Sequence, residues 1–359
     1  EGRNNRAGVR SREREIQVFE KMVIQHICID ALENKTIAEK KEQCRENYNE
    51  LKSGLLSYPM ENCFKLFYRQ MYKDFIFLGI KLACESGDMT FMLNGLFQGN
   101  RIGMIWNNCL NTTQDQSGGL VNIILAFASN DLKLVGKSMP VSPGISDNGY
   151  YKGHYNMMYA IYWKDQEAGR EAEKQLLKFM AKKQSKFDLS FTRYLLALYY
   201  EDASEISNCL IELCYTVARS NWVQEEIFFD TLHYKLGRRV ALFVHGLYHL
   251  AYYSLNETTF TKIQLPEHKT FIKEYEEFNI EHGFPVGSHF IHLDDISQYL
   301  EHFIDIEMIP EVGVVKDIRD GKNYLDADSF QEKVFANLKS KKLIDYDESA
   351  GKFVFRSIK

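Results

Sequence analysis

Two histidines four residues apart open the search for chemistry: His245 and His249 in His245-Gly246-Leu247-Tyr248-His249 share one face of a helix, a spacing that zinc sites use. A zinc protease of this spacing carries a glutamate directly after the first histidine as its general base, and here that position is Gly246. Phe243, Val244, Leu247 and Leu250 surround the pair. It is therefore expected as a pair of core histidines, each bonded to a neighbouring group. A second group of histidines, His282, His289, His292 and His302, runs close to Asp294, Asp295 and Glu301. His289-x-x-His292-x-Asp294 on a bend offers weak metal candidates, but the spacing matches no strong ligand template, and neither a metal nor a cofactor is expected.

Other routes to catalysis are thin. Gly95, Gly99 and Gly103 recur every four residues without a preceding strand or a following Lys-Ser/Thr, so they read as close helix packing or a helix break rather than a phosphate loop. Nothing matches a serine nucleophile elbow. Cys109 or Cys209 as a nucleophile would need a nearby base, which the sequence cannot show. The neighbouring carboxylates Glu225-Glu226 and Asp294-Asp295 would point about 100° apart on a helix, so neither makes a facing acid–base pair. A non-enzyme is the expectation.

The sharpest anomaly is electrostatic. From Glu274 to Val315 there is no lysine or arginine in 42 residues, while ten acids fall there, among them Asp294, Asp295, Glu301, Asp305, Glu307 and Glu311. Charges of one sign repel, and attraction of a basic partner is one function that offsets the cost. Tyr299 and other aromatics are interleaved, giving the acidic rim and aromatic anchors of a protein-binding surface. The expected partner contacts are Asp294, Asp295, Tyr299, Glu301, Asp305 and Glu307. The plainer reading is a solvated acidic face with basic residues folded over it from elsewhere.

The elements that must position these residues are almost all helical. The chain has 359 residues, a formal net charge of −5, 45% hydrophobic residues and only 6 prolines, a composition for a large helical core and not for a general nucleic-acid coat. Its seven cysteines include no C-x-x-C pair and read as reduced thiols of a cytoplasmic protein. No apolar run suits a membrane span. Residues 1–14 read as a flexible arm or a cloning remnant. A helical region is expected over 15–139, with segments at 61–86, 89–97, 101–110 and 120–128, and with Gly87-Asp88 as a stop-and-cap pair. Breakers between Pro140 and Gly149 precede a second region over 140–309, built of helical hairpins at 150–163, 169–183, 189–200, 203–219, 222–236 and 240–255. Tyr159-Ala160-Ile161-Tyr162-Trp163-Lys164-Asp165 is echoed 37 residues later by Leu196-Ala197-Leu198-Tyr199-Tyr200-Glu201-Asp202, a period that fits stacked helix pairs. Residues 310–359 read as a small appendage: a helix over 328–341 capped by Asp328, then a hairpin of 342–345 with 352–355. The fold class is all-α, stacked antiparallel helical hairpins in a bundle or short α-solenoid, with a small helix-plus-hairpin element at the C-terminus.

Three stretches resemble the all-α immunity protein family numbered 49 of bacterial polymorphic toxin systems. They are 75–106, ending Met104-Ile105-Trp106; the paired short helices of 159–200; and 227–253, where Phe229-Asp230-x-x-His233-Tyr234 leads through Arg238-Arg239 into a long apolar helix. Together they span roughly residues 64–284. The resemblance implies a cytoplasmic protein without catalytic activity that binds and neutralises a cognate toxin domain. A toxin that attacks nucleic acid is usually basic, so an acidic inhibitor surface would mimic its substrate. The alternative reading is a helical-repeat scaffold or peptide-sensing regulator, with Tyr159, Tyr162, Trp163, Tyr199 and Tyr200 as its ligand face.

Overall fold

The computed structural model describes residues 60–110, 117–139, 150–224, 234–292, 301–347, 349 and 352–355, with helical positions 38, 39, 42, 45 and 46. The arm 1–14, the first expected helix, the break over 140–149, Glu225, Glu226, Phe229, Asp230, His233, Asp294, Asp295 and Tyr299 lie outside the described residues.

Helix α1 (Met60–Ser86) stops at Gly87, whose φ of +75° suits a residue without Cβ, and Asp88 then accepts the Thr90 N–H at 2.9 Å to start α2 (Thr90–Leu110). The expected break near Gly99 is absent: 89–97 and 101–110 are one helix. The glycines bring backbones together instead. A Cβ on Gly79 would sit 2.5 Å from the Phe91 carbonyl oxygen, and one on Gly95 would sit 2.7 Å from the Gly79 Cα, so α1 and α2 lie against each other with no side chain between them. This is the most extensive helix pair among the described residues.

Helix α3 (Ser117–Ala128) is apolar on nearly every side and packs on both α2 and α10 (Leu242–Ser254), another helix buried along most of its length. Their crossing is tight at Gly246, where a Cβ would come within 2.0 Å of the Ile124 carbonyl oxygen. Gly246 is thus where α10 touches α3, and a side chain of any kind is excluded there. A short α4 (Leu132–Ser138), not expected from the sequence, follows α3.

Two antiparallel hairpins come next: α5 (Lys152–Trp163) with α6 (Gln166–Met180), and α7 (Lys186–Tyr199) with α8 (Ala203–Arg219). Helices α9 (Tyr234–Arg239), α10, a single turn α11 (Glu257–Phe260) and α12 (Lys273–Glu281) follow. Residues 287–292 and 301–304 lie over α2 and are termed the strap, with 3₁₀ turns at Glu301–Phe303 and Ile306–Met308.

The C-terminal element is β1 (Gly313–Lys316), β2 (Asn323–Asp326), α13 (Ala327–Ser340), β3 (Ile344–Asp347) and β4 (Lys352–Phe355). The first antiparallel pair aligns Gly313 with Asp326 and was not expected; the second aligns Ile344 with Phe355. The helix is capped by Asp326, which accepts the Ser329 N–H at 3.0 Å, rather than by Asp328. The third strand begins two residues later than the hydropathy alternation suggests. Helix α13 packs on α2 and β4 on α1, so this element rests on the first helix pair. Buried apolar side chains from Tyr72 to Ile344 make one continuous cluster. The fold is all-α with a small α+β addition at its C-terminus.

Candidate functional site

The hairpins are joined by one repeated device. Asn130, Lys164 and Glu201 adopt left-handed backbone conformations at φ 57°, 56° and 57°, and each is followed by an aspartate. The N–H groups of Asp131, Asp165 and Asp202 donate to the carbonyls of Ala126, Ala160 and Ala197 at 3.1, 2.9 and 2.8 Å, closing each helix, while their side chains accept N–H groups of the next helix. The pattern Ala-x-x-x-x-Asp thus recurs at 126–131, 160–165 and 197–202, with spacings of 34 and 37 residues. The echo of Tyr159–Asp165 in Leu196–Asp202 is therefore two turns of the same construction. The third, at 126–131, has Ala128-Ser129 where the other copies have aromatics, so hydropathy alone does not align it with them.

Side by side, the turns of the α5/α6 and α7/α8 hairpins and the end of α10 enclose an open groove of about 630 Å³. Its walls carry Tyr199, Tyr200 and Tyr253 with charges of both signs, Lys164 and Arg170 against Asp165 and Glu201. Tyr200 is 60% exposed and its hydroxyl donates to Glu173. Asn256 donates to Glu201 at 3.2 Å, tying the end of α10 to the α7/α8 turn. The five aromatics expected as one ligand face divide three ways. Tyr199 and Tyr200 line this groove. Tyr159 is buried in the core, and Tyr162 donates its hydroxyl to the Leu132 carbonyl at 3.4 Å. Trp163 lines a second groove of about 880 Å³, between α4, α5 and the C-terminal element.

That second groove also receives part of the acidic run. Glu307 and Glu311 line it together with Lys133, Lys137, Lys316 and Lys333, and Lys137 reaches Glu311 at 3.5 Å. Asp305 faces solvent and caps the second 3₁₀ turn by accepting the Glu307 N–H at 3.1 Å. Glu276 is not on the surface at all. Among the described residues, then, Glu276 is withdrawn from the surface and lysines share a groove with Glu307 and Glu311.

Glu276 lies fully buried between the two histidines of α10. Its Oε1 is 2.5 Å from His245 Nδ1 and its Oε2 is 2.8 Å from His249 Nε2. The carboxylate occupies the place between the imidazoles that a zinc ion would need. His245 Nε2 accepts the Ile272 N–H at 3.2 Å, so its proton is on Nδ1 and points at Glu276. His249 Nδ1 faces two acceptors, the Phe127 carbonyl at 3.0 Å and Asn130 Oδ1 at 2.9 Å. The Asn130 amide nitrogen is committed to Asn279 and to the Pro285 carbonyl, both at 2.8 Å, so its oxygen must face His249. His249 therefore carries a proton on Nδ1, and a further proton must stand between its Nε2 and Glu276. Burial alone would push the Glu276 carboxyl up, but the charge of His249 and the hydrogen bonds from both histidines outweigh it and hold the carboxyl below its ordinary range. Burial lowers His245, against the opposing pull of Glu276. Every donor in this knot has an acceptor, as the sequence led one to expect of core histidines.

Burial pushes the Cys209 thiol up to about 12, with Glu205 adding to the shift, so it is no thiolate nucleophile at neutral pH. Cys84, Cys209 and Cys214 are buried and unbridged.

The strap brings His289 and His292 to Glu301. His292 Nδ1 lies 2.9 Å and His289 Nε2 lies 3.8 Å from Glu301 Oε1. The carboxylate that meets these histidines is thus Glu301; Asp294, the expected third member, lies outside the described residues.

No family model, no curated protein and no solved structure matches the chain. No described helix is long and apolar enough to cross a membrane.

Proposed function

We propose that this chain is a cytoplasmic binding protein without catalytic activity, and that its partner is the toxin domain implied by the resemblance to the immunity family. The observation that carries a binding role is the row of hairpin turns. It sets Tyr199 and Tyr200 beside Lys164, Arg170 and Glu201 in an open groove, on elements fixed by capping aspartates. Tyrosine and arginine are the residue types that dominate binding energy at interfaces, and rigid support lowers the ordering cost of association. Asp165 and Glu201 of the groove wall add charge, which governs encounter rate more than affinity. Tyr200 is the chosen anchor because it is the most exposed of the three groove tyrosines.

The test is co-expression with the C-terminal domain encoded by the adjacent upstream open reading frame, in a host that this domain poisons. Restored growth with co-purification of the two chains supports the proposal. The paired change Arg170→Glu with Tyr200→Glu, both at exposed positions, should then weaken the complex by at least about 100-fold. Rescue that survives this change moves the contact away from the groove. A neighbour whose toxicity this chain leaves untouched overturns the toxin reading. The groove then serves the second reading, an extended peptide held by a helical-repeat scaffold.

A further inference from the structure

We infer that His289, His292 and Glu301 form a site for a divalent transition-metal ion, with zinc as the ion this donor set fits best. The inference is independent of the partner proposed above. Two imidazole nitrogens and one carboxylate oxygen are the donors of an open zinc site, and the one ligand atom that each residue offers lies within 4.8 Å of the others. Bonds of about 2.0–2.1 Å in a tetrahedron place ligand atoms roughly 3.4 Å apart. The observed 2.9 and 3.8 Å separations to Glu301 bracket that value.

Both ligand-bearing segments are held by α2. Asn94 Oδ1 accepts the Ser288 N–H at 2.8 Å. One turn on, the Gln98 amide accepts the Ile291 N–H at 3.1 Å and donates to the Ile291 carbonyl at 2.8 Å. Gly287 lies where a Cβ would meet Phe97 Cβ at 2.4 Å, so the strap is pressed onto the helix just before the first histidine. On the far side, Glu301 opens a 3₁₀ turn whose last residue, Phe303, is fully buried, and Arg101 donates to the Ile304 carbonyl. A site on anchored backbone loses little freedom on binding an ion. The two imidazole rings stand 4.1 Å apart, centroid to centroid. Protonated, they would repel; a shared metal ion takes both as neutral ligands and pairs its charge with the carboxylate. His289 is half-buried and its Nε2–H donates to the Ile291 carbonyl at 2.9 Å, so ligation through Nε2 breaks that bond and leaves the ring proton on Nδ1; His292 is exposed, so an ion can enter from solvent. With three protein donors, a fourth position stays open to water or to a side chain of a bound partner.

The experiment uses the full chain, stripped with chelator, then dialysed against micromolar zinc chloride and assayed for bound metal, with cobalt(II) absorption as a readout of tetrahedral nitrogen–oxygen coordination. One equivalent per chain is expected. His292→Ala and Glu301→Gln should each weaken binding by about 100-fold or more, while His282→Ala, at an exposed histidine outside the site, should bind as the parent does. Neither ligand change removes a buried side chain, so metal-free thermal melts should match the parent and show that the variants are folded. No retained metal, or an equivalent retained in both ligand variants, overturns the site. So does equal loss in His282→Ala, which would mean that surface histidines bind without a built centre.

Discussion

Asn130 Oδ1 and His249 Nδ1 lie 2.9 Å apart across 119 residues of sequence, and this contact decides where a proton sits inside the core. Because Asn130 occupies the left-handed position of the first repeated turn, the device that reverses the chain after α3 also fixes the tautomer of a histidine on α10. The buried Glu276 then has one orientation in which both of its oxygens are satisfied.

The knot predicts an asymmetry between substitutions at Glu276. Glu276→Gln can accept from His245 Nδ1–H and donate to His249 Nε2, so every hydrogen bond survives with a neutral His249. Its cost should stay near 1 kcal/mol. Glu276→Leu leaves the His245 Nδ1–H without an acceptor and the Nε2 of a neutral His249 without a donor in the core, and should cost about 3 kcal/mol or more. Urea unfolding midpoints of the two variants, compared at constant slope, separate them; equal losses would show that the proton arrangement is wrong.

Acid should destabilise the protein with a definite sign. Burial lowers His154 to about 3, and its Nδ1 is buried without a partner, while its Nε2 bonds Thr192 at 2.8 Å. The native ring therefore stays neutral while the unfolded ring takes up a proton below its ordinary 6.5, so stability falls as pH drops from 6.5 towards 3. The Glu276 carboxyl, held low in the native state, contributes stability above the ordinary carboxylate range that is lost as pH falls through its native value. Denaturant titrations between pH 7.5 and 4 should show proton uptake on unfolding, and His154→Phe should remove most of one proton from that slope below pH 6.5 and none near pH 7.5. An unchanged slope would count against a neutral buried His154.

Glycines of opposite roles give a packing test. Gly246→Ala forces a Cβ to within 2.0 Å of the Ile124 carbonyl and should cost several kcal/mol or abolish folding. Gly136→Ala, in α4, meets only the Tyr162 hydroxyl at 3.7 Å and should stabilise by about 0.5–1 kcal/mol through helix propensity. Thermal melts of both variants are sufficient; a tolerated Gly246→Ala would mean that α3 and α10 are further apart.

The repeated turns predict matched effects at matched positions. Asp165→Ala and Asp202→Ala each remove two N–H contacts at a helix start and should cost about 1 kcal/mol. Lys164→Gly relieves a left-handed lysine and should gain roughly 0.5 kcal/mol after its larger unfolded-state entropy is set against it. Sharply unequal losses at the two aspartates would show that the turns are not equivalent.

The helical class, the Gly87-Asp88 stop and the 203–219 helix were legible because apolar period, breakers and caps are local signals. The core role of His245 and His249 was legible from their apolar neighbours. Their partner was not, since Glu276 reads as one more acid in a charged run, and only tertiary packing takes it inside. For the same reason Glu311 looked uncompensated: Lys137 reaches it from a helix 174 residues earlier. Gly99 looked like a break because a glycine between two helical runs gives the same local pattern as one pressed against the Tyr72 carbonyl of a neighbouring helix.

The strap has a consequence for how the chain is made. An array of helical hairpins can fold pair by pair as each emerges from the ribosome. Here α2 waits for partners far downstream: Gln98 bonds Ile291 across 193 residues and Arg101 bonds Ile304 across 203. Until those residues have been synthesised, the face of α2 that they cover stays open, with Phe97 and the buried pair of Arg101 and Asp131 exposed at its edge. The newborn chain thus carries that flank unprotected while residues 111–291 are made, and a translational stall before residue 291 leaves a molecule that cannot shield it.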